Sequence, residues 1–215
     1  MDKSEALVRV VVAYVVALFA GGCTLVIVDF GSLLNALAAD IVATVVVYLF
    51  SRAYRNCSFI DAYWTVIPPF IALYWLAVGA SDVSALRELL VLGLMLYWAT
   101  RLTLNWAYHW EGIHHEDWRY ADLRKKAPAF GPLIDFFGLH LFPTLQVFLG
   151  LLPVYAVYCL GYRPFNWLDI FAALITGAAI TLQMLADFQL HGFIRTRREG
   201  EYLATGFWAW SRHPN

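Results

Sequence analysis

Two rows of polar side chains run down apolar segments of this chain, and both have helical spacing. Tyr97, Arg101, Asn105 and Tyr108 follow at offsets of four, four and three, which places them on one helix face. Gln183, Asp187, His191 and Arg195 recur at intervals of four and make a second such face. A guanidinium or carboxylate inside an apolar segment is costly unless it meets a partner or a polar cavity. Arg101 on its own has a bland reading, in which it snorkels to a membrane surface about two turns away. Three further polar groups on its face favour a functional cavity instead. The lower half of the second row reads equally as a charged helix end stepping into water, whereas Gln183 and Asp187 lie deeper. For Asp187 both Arg101 and the arginines that follow it are candidate partners, and the sequence does not choose between them.

Other candidates lie outside these rows. Asp61 opens an apolar segment that contains Pro68 and Pro69, whose rings free backbone carbonyls and kink a helix. Asp61 is either the N-cap of that helix, the better-supported role for an aspartate, or a buried carboxylate that hands on a proton. Three basic motifs follow, HEDWRY (His115 to Tyr120), RTRR (Arg195 to Arg198) and SRHPN (Ser211 to Asn215). Arginines at a membrane face hold phosphate through paired hydrogen bonds. For RTRR alone, attraction to anionic lipid headgroups, worth about 1 kcal/mol per charge, is the simpler account. The chain has no HExxH, GxGxxG, P-loop or Ser-His-Asp order, and His114, His115 and His191 lack ligand partners at metal-like spacing. No metal is expected. Cys23, Cys57 and Cys159 are far apart and odd in number, so they read as small apolar fillers rather than a disulfide framework.

The elements that must position these groups are membrane spans. Only 14% of the 215 residues are charged and 61% are apolar, against ~25% charged in soluble domains. The apolar residues come in runs near the ~20 needed to cross a bilayer. Six spans are predicted, over residues 8–28, 35–54, 62–80, 88–108, 139–160 and 167–190, the second weakened by Asp40. Strict alternation of the barrel kind is absent. The fold class is therefore all-α, a polytopic membrane bundle forming a single domain over residues 1–215. The start, MDKSEALVR, mixes acids with bases and precedes no small-residue cleavage site, so it leads into a retained span. With the N-terminus inside, Lys3, Arg9, Arg52, Arg55, Arg119, Arg124, Lys125, Lys126, Arg195, Arg197, Arg198 and Arg212 share one side, and only Arg87 and Arg163 the other. That asymmetry predicts a cytoplasmic basic face. The polar 109–135 loop is rich in aromatics and is expected to fold against that face. Nothing suggests nucleic acid as a partner; the lipid bilayer and a small apolar substrate are the partners expected, and oligomeric state is not encoded legibly.

TRLTLNW (Thr100 to Trp106), HEDWRY, the Asp187-to-Arg198 stretch and TGFWAWSRHPN together resemble one family. It is the bacterial branch, domain of unknown function 1295, of the membrane-embedded steroid 5α-reductase-like proteins, and the similarity runs from about Asp61 to Asn215. The resemblance implies NADPH bound among the cytoplasmic ends of the later spans. It implies cofactor contacts from Arg101, Asn105, Arg119, Tyr120, Asp187, Arg195, Arg198, Arg212, His213 and Asn215. It also implies a catalytic acid pair at Asp61 and Tyr97, with Asp in place of the family's Glu. The family motif continues as RHPNYFGE into a further span, so the resemblance implies a cavity-closing helix and a cofactor-binding carboxylate beyond the truncated motif at 191–215. The implied reaction is NADPH-dependent reduction of a conjugated C=C bond in a lipid-like substrate, in a bacterial inner membrane. Alternatives are an S-adenosylmethionine-dependent membrane methyltransferase, since RHP motifs occur there too, and a non-catalytic transporter or lipid-binding protein.

Overall fold

In the computed structural model, which describes residues 2–79, 84–161 and 164–215, every regular element among those residues is helical. Six helical stretches are long and apolar enough to cross a membrane. Residues 80–83 and 162–163, including Arg163 of the charge count, lie outside the described residues.

Helices α1 (Lys3–Ile27) and α2 (Ser32–Tyr54) form a hairpin. Their contact is made of small residues, Ala6, Ala13, Ala17 and Gly21 on α1 against Ala36 and Ala43 on α2, all buried. Apolar side chains gain nothing by leaving lipid for one another, so helices in membranes pack through close backbone approach at such residues. Asp40 does not interrupt α2. Its carboxylate accepts the Tyr63 hydroxyl at 2.9 Å across the bundle.

A 3₁₀ turn, Cys57–Ile60, capped by the Asn56 side chain at 2.7 Å, leads into α3 (Tyr63–Val78). This corrects the expected cap. The N-cap position of α3 is Ala62, with no side-chain cap, because the chain enters α3 straight from the turn and the Asp61 amide already bonds Ser58 O at 3.2 Å. α4 (Ala85–His109) packs along α3, with Thr65 and Thr103 hydroxyls 2.8 Å apart.

The polar 109–135 stretch is partly helical. It holds α5 (Trp118–Lys126), a 3₁₀ turn (Pro128–Phe130), the short α6 (Gly131–Leu133) and the start of a π-helical stretch, Ile134–Leu141. The fifth span thus begins near Pro128 rather than 139. It continues as α7 (Phe142–Gly150) and α8 (Leu152–Cys159). The π stretch supports a buried column: His140 meets Ser51 Oγ at 2.9 Å, and Thr144 meets Thr44 at 2.9 Å. α9 (Trp167–Thr196), opened by a capping box at Asn166 and Asp169, is the longest helix and packs chiefly on α4.

The basic residues gather at one end. There Lys3 donates to Tyr108 O at 2.7 Å, Arg9 to the Tyr54 hydroxyl at 3.2 Å, and Arg52 and Arg124 both reach Asp135. Arg87 sits at the opposite end, paired with Asp169 at 2.6 Å.

Candidate functional site

The two polar rows face each other. α4 and α9 run parallel, and every contact between them keeps a sequence separation of 82 to 87: Arg87 with Asp169, Tyr97 with Thr181, Arg101 with Gln183 and Asp187, Arg195 with Tyr108. The parallel course follows from their being the fourth and sixth spans, with one crossing between them, and the 3.6-residue periodicity in both then lets each buried polar group meet its mate in one register.

Arg101 and Asp187 form an ion pair at the centre of this seam, their side chains 7% and 11% exposed. Gln183 Oε1 accepts a second hydrogen bond from Arg101 at 3.1 Å. The other Asp187 oxygen accepts the Asn215 amide at 2.7 Å. A fold-back of the C-terminal stretch along α9 makes that contact. Trp208 Nε1 donates to Ala186 O at 3.0 Å, and the Phe207 amide donates to Gln189 at 3.0 Å. Gly206 allows the turn, with φ of +60° and with Gln189 Oε1 only 2.6 Å from where a Cβ would sit.

Around this pair lies a cavity of about 630 Å³, walled by Tyr97, Asn105, Tyr108, Met184 and His191, with Arg195 at its basic end. The imidazoles of His109 and His191 stack at 3.5 Å between centroids. A larger apolar cavity of about 950 Å³ lies along the same helix pair toward the opposite end, walled by Leu94, Met95, Trp98, Val154 and Ile180 among others.

The expected acid pair is not brought together. Tyr97 meets Thr181 Oγ1 at 3.1 Å in the seam. Asp61 instead accepts the hydroxyl of Tyr120, with Ser58 and Trp106 also turned toward it. Trp106 is on a different face of α4 from Arg101, so Asp61 and Tyr97 serve different surroundings. Burial, and then the negative charge of Asp61, push the Tyr120 phenol well above its ordinary range, so Tyr120 is a standing donor.

Of the expected cofactor contacts, Arg101, Asn105, Asp187, Arg195 and Asn215 converge on the seam. Arg119 does not: it pairs with Asp117 at 2.5 Å, 68% exposed. Its hydrogen bond holds the Asp117 carboxyl below the usual range. Arg198, Arg212 and His213 are exposed on the segment after α9, the Arg198 amide bonded to Glu201 at 2.9 Å.

One cluster escaped the sequence reading. Arg124 bridges Glu116 and Asp135, Asp135 also takes Arg52, and Glu116 accepts the Cys57 amide at 2.8 Å. Asn56 adds bonds to Ile113 O and His115 O at 2.8 and 3.0 Å. Together these bind the 110–126 segment to the turn after α2. The signal available was an aspartate in an otherwise apolar run, at Asp135.

No solved structure matches the chain. An uncharacterised protein of Schizosaccharomyces pombe is 29% identical over a 186-residue alignment, with 75% of this chain and 54% of that relative covered. The chain thus covers about half the length of the curated relative. A further match takes in α3 to α9 and the fold-back, with the Arg101–Asp187 seam and the Asp61–Tyr120 contact inside it. Over residues 47–215 the sequence fits the family described as protein of unknown function DUF1295, and the chain belongs to that family.

Proposed function

We propose that the protein is an NADPH-dependent reductase of a conjugated C=C bond in a lipid-like substrate, of the steroid 5α-reductase kind, with its basic end in the cytoplasm of a bacterial cell. One observation carries the reading: the Arg101–Asp187 pair, joined by Gln183 and Asn215, lines a cavity that opens at the basic end beside Tyr108 and Arg195.

A dinucleotide needs cations for its phosphates and neutral donors and acceptors for its amide and sugars. The seam supplies both, and Arg101 Nε is buried with no hydrogen-bond partner, a donor held in reserve in the cavity wall. Arg195, with Arg198 and Arg212 beyond it, would hold phosphate. Asn105, Asp187 and Asn215 would orient the amide end. Arg119 would join them only by leaving Asp117. NADPH, when bound, would supply a hydride with its electron pair to the β-carbon of the substrate.

The chain's own residues do the rest. Tyr97 faces the cavity, and its hydroxyl would donate to the substrate carbonyl as negative charge develops there. The α-carbon would then take a proton from water while Tyr97 keeps its own, so each carbon of the double bond ends with one new hydrogen. The apolar cavity includes Trp98 and Ile180, chain neighbours of Tyr97 and Thr181, and we assign it to the apolar substrate arriving from the bilayer. Asp61, clamped by Tyr120, positions α5 in this reading.

Titration of the purified protein in detergent tests the proposal. NADPH should bind saturably and NADH at least about tenfold more weakly, because lost charge-assisted hydrogen bonds are worth ~1.5–3 kcal/mol each. Arg195→Ala should narrow that gap. Saturable binding of S-adenosylmethionine with none of NADPH would overturn the reading in favour of a methyltransferase.

A further inference from the structure

A second site lies in the bundle away from the α4–α9 seam. A cavity of about 400 Å³ opens between α1, α2 and α3 in the half of the spans remote from the basic end, a size in the ~300–1,000 Å³ range of small-molecule sites. Its walls are small or apolar, with Gly21, Gly22, Ala39, Ala43, Ile67 and Phe70 among them. The exceptions are Tyr74, with its phenol, and Asp40, 1% exposed. Asp40 Oδ1 accepts the Tyr63 hydroxyl at 2.9 Å, while Oδ2 is buried with no hydrogen-bond partner. An unpaired carboxylate oxygen in an apolar span is among the more costly features a membrane protein carries, and here it belongs to a residue that lines a cavity.

The mouth faces lipid. Phe19 and Phe70 flank it and are 73% and 47% exposed. A Cβ added at Gly22 would meet nothing within 4 Å, whereas one at Gly21 would sit 3.1 Å from Ala39 O. The free space is therefore on the Gly22 side, open laterally to the bilayer.

We propose that this cavity binds an apolar molecule bearing a single hydroxyl, drawn from the membrane, with the hydroxyl on Asp40 Oδ2 and the hydrocarbon along Gly22, Ile67 and Phe70. The head group follows from the donor inventory. A hydroxyl donates to an ionised carboxylate and accepts from a protonated one, so it satisfies Oδ2 in either state. An ammonium pairs only with the ionised form, and a carbonyl only with the protonated form. The hydrocarbon requirement follows from walls that offer Asp40 as their sole charged group.

Photo-crosslinking of the protein in lipid nanodiscs tests this. The probe is a long-chain primary alcohol carrying a diazirine, and its methyl ether, which cannot donate, is the control. The alcohol should label peptides containing Gly22 or Phe70 saturably, about tenfold above the ether, the worth of one hydrogen bond. Asp40→Leu should abolish that preference. Asp40→Asn should keep most of it, since the amide both donates and accepts. Gly22→Leu points into open space, so it should leave the fold intact and exclude the probe. Equal labelling by alcohol and ether, or labelling unchanged in Gly22→Leu, would overturn the site and leave ordinary lipid contact. Crosslinks from one copy to another at Phe19 would overturn it in favour of a helix–helix interface.

Discussion

The α1–α3 block and the α4–α9 pair are built on opposite terms. In the block, α3 is buried along most of its length, and Trp75, Tyr63 and Phe59 are wholly enclosed. In the pair, only Met95 and Ala99 of α4 and Ile180, Ala186 and Asp187 of α9 are buried. Packing of small and aromatic side chains holds the block. Ion pairs, hydrogen bonds and one stacked imidazole pair hold the seam. In lipid, apolar faces gain little by meeting one another, so a helix with few buried side chains stays docked through polar contacts. The same contacts leave the larger cavities, of about 630 and 950 Å³, along the pair, against about 400 Å³ within the block. The difference teaches how the work is divided in this chain: rigidity comes mostly from the block, and most of the charge that lines cavities comes from the pair.

The largest effect should come from breaking the seam on one side only. Arg101→Leu leaves Asp187 as an uncompensated carboxylate in a span, at a cost of about 3–5 kcal/mol. The double variant Arg101→Leu with Asp187→Leu should recover most of that loss in thermal unfolding followed in detergent. A double variant no more stable than the single would mean the pair is not what joins α4 to α9. A smaller effect is expected in the block. Gly21→Leu forces a side chain against the Ala39 carbonyl, 3.1 Å from its Cβ, and should cost roughly 1–3 kcal/mol. Any NADPH affinity should be unchanged in that variant, which separates packing from binding.

The smallest effect concerns α5, which lies outside both regions. Asp117 caps α5 through the Arg119 amide and pairs with the Arg119 guanidinium. Its folded pKa is depressed below the usual 3.8, so its contribution is fully present above that value. It is lost as pH falls through the lower folded value. Protection of the 118–121 amides, each exchange rate taken relative to an unstructured peptide at the same pH, should therefore stay constant from neutral pH down to about 4 and weaken only below it. Asp117→Asn should lose that pH dependence and keep the cap.

Much of this was legible in the sequence because the bilayer simplifies the problem. Spans follow from apolar run length, and the polar rows follow from the 3.6-residue period, so the residues facing each other across the seam were identifiable. Which atoms meet was not. Asp187 chose Arg101, 86 residues away, over the arginines about two and three turns beyond it, and no local spacing encodes that choice. Asp61 looked like a cap because aspartates commonly cap, yet a 3₁₀ turn occupies the place where a cap would act, and Tyr120 takes the carboxylate. The fifth span began early because Pro128, Pro132 and Asp135 disguise a helical segment as a loop. Asp40 read as a weakness in α2, since its partner Tyr63 lies on another helix.

Cofactor protection of a single engineered cysteine bears most directly on the seam as a binding site. Gly192 lines the cavity, and a Cβ there meets nothing within 4 Å, so Gly192→Cys places a thiol in the site without disturbing it. Ala53→Cys, exposed in the last turn of α2 at the same basic end, serves as the reference, with Cys23, Cys57 and Cys159 replaced by alanine in both proteins. NADPH should slow maleimide labelling of Gly192→Cys saturably, NADH should do so only at about tenfold higher concentration, and Ala53→Cys should label at an unchanged rate. Labelling of Gly192→Cys that is indifferent to NADPH, or slowed equally at Ala53→Cys, would contradict the account.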